Sequence, residues 1–354
     1  MSSAAPSRLY RLALVVIARD EAPRIERLLK SVRDHVDDML VLDTGSIDAT
    51  PALARAAGAR VEHFRWCDDF SAARNRALEL ASADWHLVLD ADEWLEQGAE
   101  TVQTLQALRS LTPEFIGVVQ LHDAFDGGVA SQWLSRVLPG SVRYSGRVHE
   151  QPVQPAQRLP LKRLPLQVGH DGYRGERLAA KRGRNRMLLQ AMLKETPGDA
   201  YSWYQLGKDH AVYDEAAEAE TAFAHAAQLM HNPPPWWPDL VARRLYGLKQ
   251  LKLHAVAMDF AEAQLAICGE SPDFFFALGD LLLDLAADDP SRAAELLPMA
   301  EEAWRRCMAL GERPDQIGAV AGRGSVLAAH NLAIVLAGTG RELEAQELRR
   351  AYGL

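Results

Sequence analysis

The sequence predicts two domains in series, an α/β domain with a parallel sheet and then an all-α array. Strand-like apolar runs and helical stretches alternate four times within about the first 90 residues, the pattern of a parallel sheet with helices on both faces. From Glu176 onward the strand signal vanishes and a helical repeat begins. The length of 354 residues accommodates two domains, and 48% apolar with 25% charged residues is a globular composition.

The first strand is Leu12–Ala18, a continuous Val- and Ile-rich run that suits burial on both faces. Pro23 is placed for a first helical turn, and Ile25, Leu28, Leu29 and Val32 recur at helical spacing. Met39–Leu42 is a second strand, closed by Asp43-Thr44-Gly45-Ser46. Thr50-Pro51 reads as an N-cap followed by proline, opening a helix that ends at Gly58. Val61–Phe64 is a third strand, Asp69-Phe70-Ser71 starts a helix running to Ala81, and Trp85–Leu89 is the fourth strand.

That fourth strand runs out into Asp90, Asp92 and Glu93. In extended chain Asp90 and Asp92 share a face, and two carboxylates so placed repel unless a cation stands between them. Mg²⁺ or Mn²⁺ suits such a place, because each takes one or two carboxylates and completes its shell with phosphate oxygens and water. The four strand ends carry Arg19-Asp20-Glu21, Asp43-Thr44-Gly45-Ser46, Asp68-Asp69 and Asp90-Ala91-Asp92, and ligands of parallel sheets bind beyond the carboxyl ends of the strands. No Gly-x-Gly-x-x-Gly follows the first strand and no Walker-type loop occurs. An acidic crevice holding a nucleotide diphosphate therefore needs a metal. The net charge of -9 argues against a nucleic-acid partner. Cys67, Cys268 and Cys307 lack metal-ligand spacing and read as reduced thiols. No apolar stretch approaches the about 18 residues of a membrane span, so the expected location is cytoplasmic.

Val16-Ile17-Ala18-Arg19-Asp20-Glu21, Leu42–Thr50, Asp69-Phe70-Ser71-Ala72-Ala73-Arg74-Asn75 and Leu89-Asp90-Ala91-Asp92-Glu93 together resemble family 2 glycosyltransferases. More narrowly they resemble the bacterial branch with tetratricopeptide-like helices behind the catalytic domain. The resemblance spans roughly Leu9–Asp209. It implies a GT-A fold over residues 1–175, repeats over 176–354, and inverting transfer from a nucleotide sugar by a hexosyltransferase-type enzyme. Carried over by position, Asp43 contacts the uracil or ribose of a UDP-sugar donor, and Arg19 and Glu21 line the base pocket. Asp69 and Arg74 lie beside the nucleotide, with Ala18 and Ala91 in the same binding set. Asp90 contacts the ribose or the metal, and Asp92 binds the metal. The sequence departs from the family pattern at Asp20, Ile47 and Ala49, where Asn, Thr and Gly are usual.

Gln97–Leu108 reads as an amphipathic helix and Phe115–Leu121 as a strand. Asp126-Gly127-Gly128 signals a hairpin returning through Ser131–Leu138. In Gly146-Arg147-Val148-His149-Glu150 the resemblance persists. Glu150 is the candidate base, since inverting transfer needs a group to remove the acceptor's proton; the alternative is that it caps a loop or pairs with Arg147. His149 and His170 are both candidates for the third metal ligand, and analogy with GT-A enzymes favours His170. Arg136 and Arg147 are placed to balance the diphosphate or to form ordinary salt bridges. Trp133, Tyr144 and Tyr173 suit sugar stacking or the core.

Lys181–Lys194 reads as an arginine-rich linker helix. Trp203 to Gly207, with His210, Ala219, Phe223, Ala226 and Pro233, fits tetratricopeptide spacing. Tyr246-Gly247 and Leu278-Gly279 mark two further helix starts, and His330 to Leu348 a terminal pair. Trp236 and Trp237, in a Pro-rich loop, suit either a cleft border or the core. The expectation is a metal-dependent enzyme moving a sugar from a UDP-sugar to a peptide, protein or cell-surface glycan, with a homodimer possible. The alternative is an inactive GT-A domain serving as a scaffold whose repeats bind a protein.

Overall fold

The computed structural model describes residues 9–125, 128–153, 159–170 and 183–354, without the side chains of 123–125 and 128–131. Asp126, Gly127, Asp171 to Tyr173, Lys181 and Arg182 therefore lie outside the described residues. The chain divides into two compact units, Met1–Leu188 and Leu189–Leu354, and the expected order of α/β then all-α is what they show.

The first unit is built on β1 (Leu12–Ala18), β2 (Asp38–Asp43), β3 (Arg60–His63) and β4 (Trp85–Val88), joined through α1 (Ile25–Val32), α2 (Thr50–Ala56) and α3 (Phe70–Ala81). After β5 (Glu93–Leu95) and α4 (Ala99–Leu108) come β6 (Ile116–Phe125), β7 (Gly128–Pro139), β8 (Arg143–Ser145), β9 (Gln151–Val153) and β10 (Leu161–His170). The main sheet has the order β3-β2-β1-β4-β7-β6-β10-β5. Its first four strands are parallel, as expected. The second half is not. β7 runs antiparallel to both β4 and β6, so the sheet is mixed.

Side chains of β1 alternate between two cores. Leu12, Leu14 and Val16 pack with α1 on one face, and Ala13 and Val15 pack with α3 on the other. The four apolar positions of α1 read from the sequence are all buried. At α2 the cap differs from the expectation. Thr50 is the first helical residue and makes no cap of its own; its hydroxyl donates to Asp48 and its N–H is also taken by Asp48. Asp69 does cap α3, accepting from the Ala72 N–H at 2.9 Å.

The second unit comprises α5 (Arg184–Glu195, which crosses the boundary) and four helix pairs among the described residues. The pairs are α6 (Ala200–Val212) with α7 (Ala216–Leu229), α8 (Trp237–Gln250) with α9 (His254–Gln264), α10 (Pro272–Asp288) with α11 (Ala293–Leu310), and α12 (Val326–Gly338) with α13 (Glu342–Tyr352). Gly207 and Gly279 allow close approach within pairs: a Cβ there would meet the rings of Phe223 at 2.5 Å and Trp304 at 2.7 Å. Gly247 has open space and lies near the end of α8. The glycines at 247 and 279 thus sit inside helices that begin earlier, at Trp237 and Pro272, rather than marking helix starts. Trp237 is buried and Trp236 stacks on Tyr204 at 4.6 Å, so both belong to the core of this unit.

Candidate active site

The carboxyl ends of β1 and β2 are knitted together by short polar contacts. Asp20 accepts from the Ile47 N–H at 2.8 Å and donates its own N–H to the Ser46 hydroxyl. The Glu21 N–H reaches Thr50 Oγ1 at 2.8 Å, and Ala18 accepts the Thr44 N–H. Asp43 is buried at the end of β2, where it accepts from the N–H groups of Gly45 and Ser46 and faces His63 at 3.3 Å. Asp20, at φ 55, takes a left-handed conformation rare outside glycine. The residues expected to line a base pocket, Arg19, Glu21 and Asp43, are thus carried by two tied loops. Ala18, next to Arg19, and Ala91, between Asp90 and Asp92, are both buried.

The chain does not stay extended past β4. The Glu93 N–H bonds to the Asp90 carbonyl at 3.0 Å, which makes Asp90–Glu93 a tight turn, so the shared-face argument for Asp90 and Asp92 does not hold there. Asp90 meets two guanidinium groups. Arg74 Nη2 donates to Oδ1 at 2.5 Å and Arg136 Nη2 to Oδ2 at 2.9 Å. Arg136 also bonds the buried Glu93, and Arg74 bonds Glu150 through Nε. The result is a chain of charges, Glu93–Arg136–Asp90–Arg74–Glu150, closed by Glu93 Oε2 accepting the Asp90 N–H. Glu93, Arg136 and Arg74 are buried, the Glu150 side chain is 10% exposed and that of Asp90 36%.

Burial opposes ionisation of Asp90, but Arg74 and Arg136 outweigh it and hold the carboxyl well below its usual range. Burial likewise opposes charge on Arg74, and Asp90 and Glu150 hold that guanidinium above its usual range. Glu93 goes the other way. Burial pushes it up to about 7 against the pull of Arg136, with Asp90 adding to the rise. Tyr144, beside Arg74, is pushed by burial up to about 12.

Asp92 and His170 form a second group. The β10–β5 ladder pairs His170 with Glu93, which brings His170 Nε2 to 3.4 Å from Asp92 Oδ2. Gly169 makes room for this: a Cβ there would lie 2.3 Å from the Trp94 ring. One carboxylate oxygen beside one imidazole nitrogen, both side chains 12% exposed, is a donor set that fits a divalent cation. Among the described residues no group of three or more His, Cys, Asp or Glu is arranged to hold an ion. An ion on Asp92 and His170 would complete its shell from substrate oxygens and water.

The candidate base Glu150 lies against Arg74 rather than Arg147. His149 before it has φ 52, a further left-handed residue at the site. Asp69 spends one carboxylate oxygen on the N-cap of α3 and the Ser71 hydroxyl. Arg74 is a buried hub, and Arg136 binds the Asp90–Glu93 turn. Sequence reading missed these two roles and the raised Glu93. A buried position for arginine on α3, flanked by Ala73 and Ala77, was the available signal.

Residues 13–142 match the model of Glycosyl transferase family 2. They form a family 2 glycosyltransferase domain. The match stops short of Glu150 and His170. A TPR repeat-containing protein of Synechococcus elongatus is 40% identical over 214 residues, 56% of this chain and 52% of that protein. The SPbeta prophage-derived glycosyltransferase SunS of Bacillus subtilis is 27% identical over 212 residues, 58% of this chain and 50% of SunS. The chain thus spans about half the length of the curated relatives it matches. Glucosyl-3-phosphoglycerate synthase from Mycobacterium tuberculosis, solved with Mn²⁺, UDP and glucosyl-3-phosphoglycerate, is 25% identical over 32% of this chain and 44% of that one, with a TM-score of 0.27. No helix among the described residues is long and apolar enough to cross a membrane.

Proposed function

We propose that the chain is a divalent-metal-dependent, inverting glycosyltransferase that takes a sugar from a UDP-sugar and places it on a peptide or protein. The observation that supports the metal is the Asp92–His170 pair, and the donor rests on the family 2 match, within which the loops bearing Arg19, Glu21 and Asp43 lie. Asp92 and His170 would hold the cation, which when bound would offset charge on the departing diphosphate. Arg74 fixes Glu150 through Oε1, leaving Oε2 to receive the acceptor's proton as the acceptor oxygen bonds to the anomeric carbon and the bond to the diphosphate breaks. Arg74 and Arg136 keep Asp90 charged and in place without a metal, so Asp90 serves the ribose side of the donor. A helical array behind the domain suits an extended polypeptide acceptor, since stacked helical repeats present long binding surfaces.

The test is UDP release from a panel of UDP-sugars with Mn²⁺, compared with Asp92→Ala and Glu150→Gln. Release with at least one sugar, cut about 100-fold or more by either substitution, supports the reading. Release that neither substitution slows contradicts it.

A further inference from the structure

The helix pairs of the second unit are joined by residues 230–236, 265–271 and 311–325, the third connection being about twice as long as the others. Connections beyond about 12 residues without secondary structure are uncommon in compact folds and are usually functional. Residues 311–325 close on themselves as an Ω-loop. Glu312 accepts from the Gly322 N–H at 3.1 Å and from the Ser325 hydroxyl at 2.5 Å. At the neck the chain ends touch, since a Cβ on Gly324 would lie 2.2 Å from the Gly311 carbonyl oxygen.

The closed loop lies on the amino-terminal turns of α8 and α10. Asp273 of α10 accepts from the Val320 N–H at 3.2 Å and from Arg323 Nη1 at 2.7 Å. The Arg323 guanidinium stands 5.3 Å over the Phe276 ring. Gly318 lies against Asp239 of α8, where a Cβ would come within 2.1 Å of the carboxylate. Asp239 is itself held by the Tyr204 hydroxyl at 2.5 Å and by Arg243 at 2.7 Å. Arg313 and Gln316 reach the Glu270 carbonyl at 3.3 and 2.8 Å. Yet the loop's own large apolar side chains stay outside, with Ile317 49% and Val320 39% exposed. It is held by Arg323, Arg313, Gln316, a backbone N–H and a glycine fit rather than by apolar burial, and polar tethers at an exposed surface suit a segment that opens below the global unfolding free energy. Its recognition chemistry is that of a peptide folded in successive turns, with the Ala319 and Arg323 N–H groups donating to the Gln316 and Val320 carbonyls, laid on the buried carboxylates of Asp239 and Asp273.

We propose that residues 311–325 are a detachable internal ligand. The face of α8 and α10 that they cover binds, in trans, a turn-forming peptide with an arginine five residues after a glycine, as in Gly318 to Arg323. The arginine would pair with Asp273 and the glycine would pass Asp239. This holds whatever the first unit catalyses.

The probe is a labelled synthetic peptide of residues 312–325, titrated into the full chain by fluorescence anisotropy. A chain with 312–324 replaced by a short Gly-Ser linker should bind it at least 10-fold more tightly than the native chain, and an Arg323→Ala peptide should bind at least 10-fold more weakly. Absence of binding by a linker variant that keeps its helical circular dichroism and cooperative melt overturns the proposal. So does equal binding by the native chain, or equal binding of the Arg323→Ala peptide. A second measurement uses the unaltered protein. In native-state hydrogen exchange, the Val320 and Gly322 amides should exchange at least 100-fold faster than the central amides of α8 and α10. Exchange at the same rate as those helices makes the loop part of the core and overturns the proposal, including where the linker variant does not fold.

Discussion

Arg74 touches both Asp90 and Glu150 from a buried position. Removing one partner of a buried ion pair leaves the other charge uncompensated, which costs far more than the pair contributes. Arg74→Ala should therefore destabilise the protein by about 3 kcal/mol in urea unfolding, and Arg74→Lys should not restore it, because one ammonium does not reproduce two guanidinium edges. A loss under about 1 kcal/mol would show that the hub is not structural. His86, on β4, offers a test in pH. It is 1% exposed and its Nε2 accepts the Ala83 N–H at 3.3 Å, so the ring is neutral with its proton on Nδ1. Burial, helped by Arg143, lowers it to about 4. The unfolded chain then binds more protons than the native one between pH 6.5 and 4, so the His86 contribution is present above pH 6.5 and is lost as the pH falls through that window. Glu93, raised to about 7, acts oppositely: its contribution is present at low pH and is lost as the pH rises from about 4.5 to 7. The comparison of native protein with His86→Phe isolates the histidine. The stability difference between pH 7 and pH 4.5 should shrink in the variant by on the order of 2 kcal/mol, and an unchanged pH dependence would place the proton elsewhere.

At the scale of elements, glycines that look alike in sequence part company. Gly207→Ala forces a Cβ against the Phe223 ring and should cost about 1–3 kcal/mol. Gly247→Ala meets no atom within 4 Å inside a helix and should stabilise by up to about 1 kcal/mol. Thermal melts of the two variants should move in opposite directions; a common direction would contradict the packing described here. The same contrast explains what the sequence made legible. β1 and α1 declare themselves because burial on two faces gives a continuous apolar run and burial on one face gives spacing of three and four. β10 does not. Its first residues, Leu161, Lys162 and Arg163, are exposed, and Pro160 and Pro165 speak against a strand. Its place is decided by pairing with β6, some 45 residues back. His170 was therefore nameable as a ligand candidate only through resemblance, while the ladder that carries it to Asp92 was invisible. For Arg136 the sequence left diphosphate balance and an ordinary salt bridge both open, and only the antiparallel register of β7 on β4 shows its partner to be Asp90.

At the scale of the molecule, the four strand ends flagged by their carboxylates do fall on one edge of the sheet, since β1 to β4 run parallel. Their charges are not spent alike. Asp69 caps a helix, Asp90 is neutralised by two arginines, and Asp43 holds a turn. Asp92 lies 3.4 Å from His170 and is the carboxylate to which we assign the cation. The decisive measurement is the thermal midpoint of the chain with Mn²⁺ alone, UDP alone and both together, run beside Asp92→Ala. A bridged site should raise the midpoint by about 5 °C or more only when both are present near 100 times their dissociation constants, and Asp92→Ala should abolish the rise. A rise with another nucleotide in place of UDP would change the donor. No rise with any nucleotide, or the same rise in Asp92→Ala, would contradict the metal-bridged site and favour a domain that serves as a scaffold for its helical array.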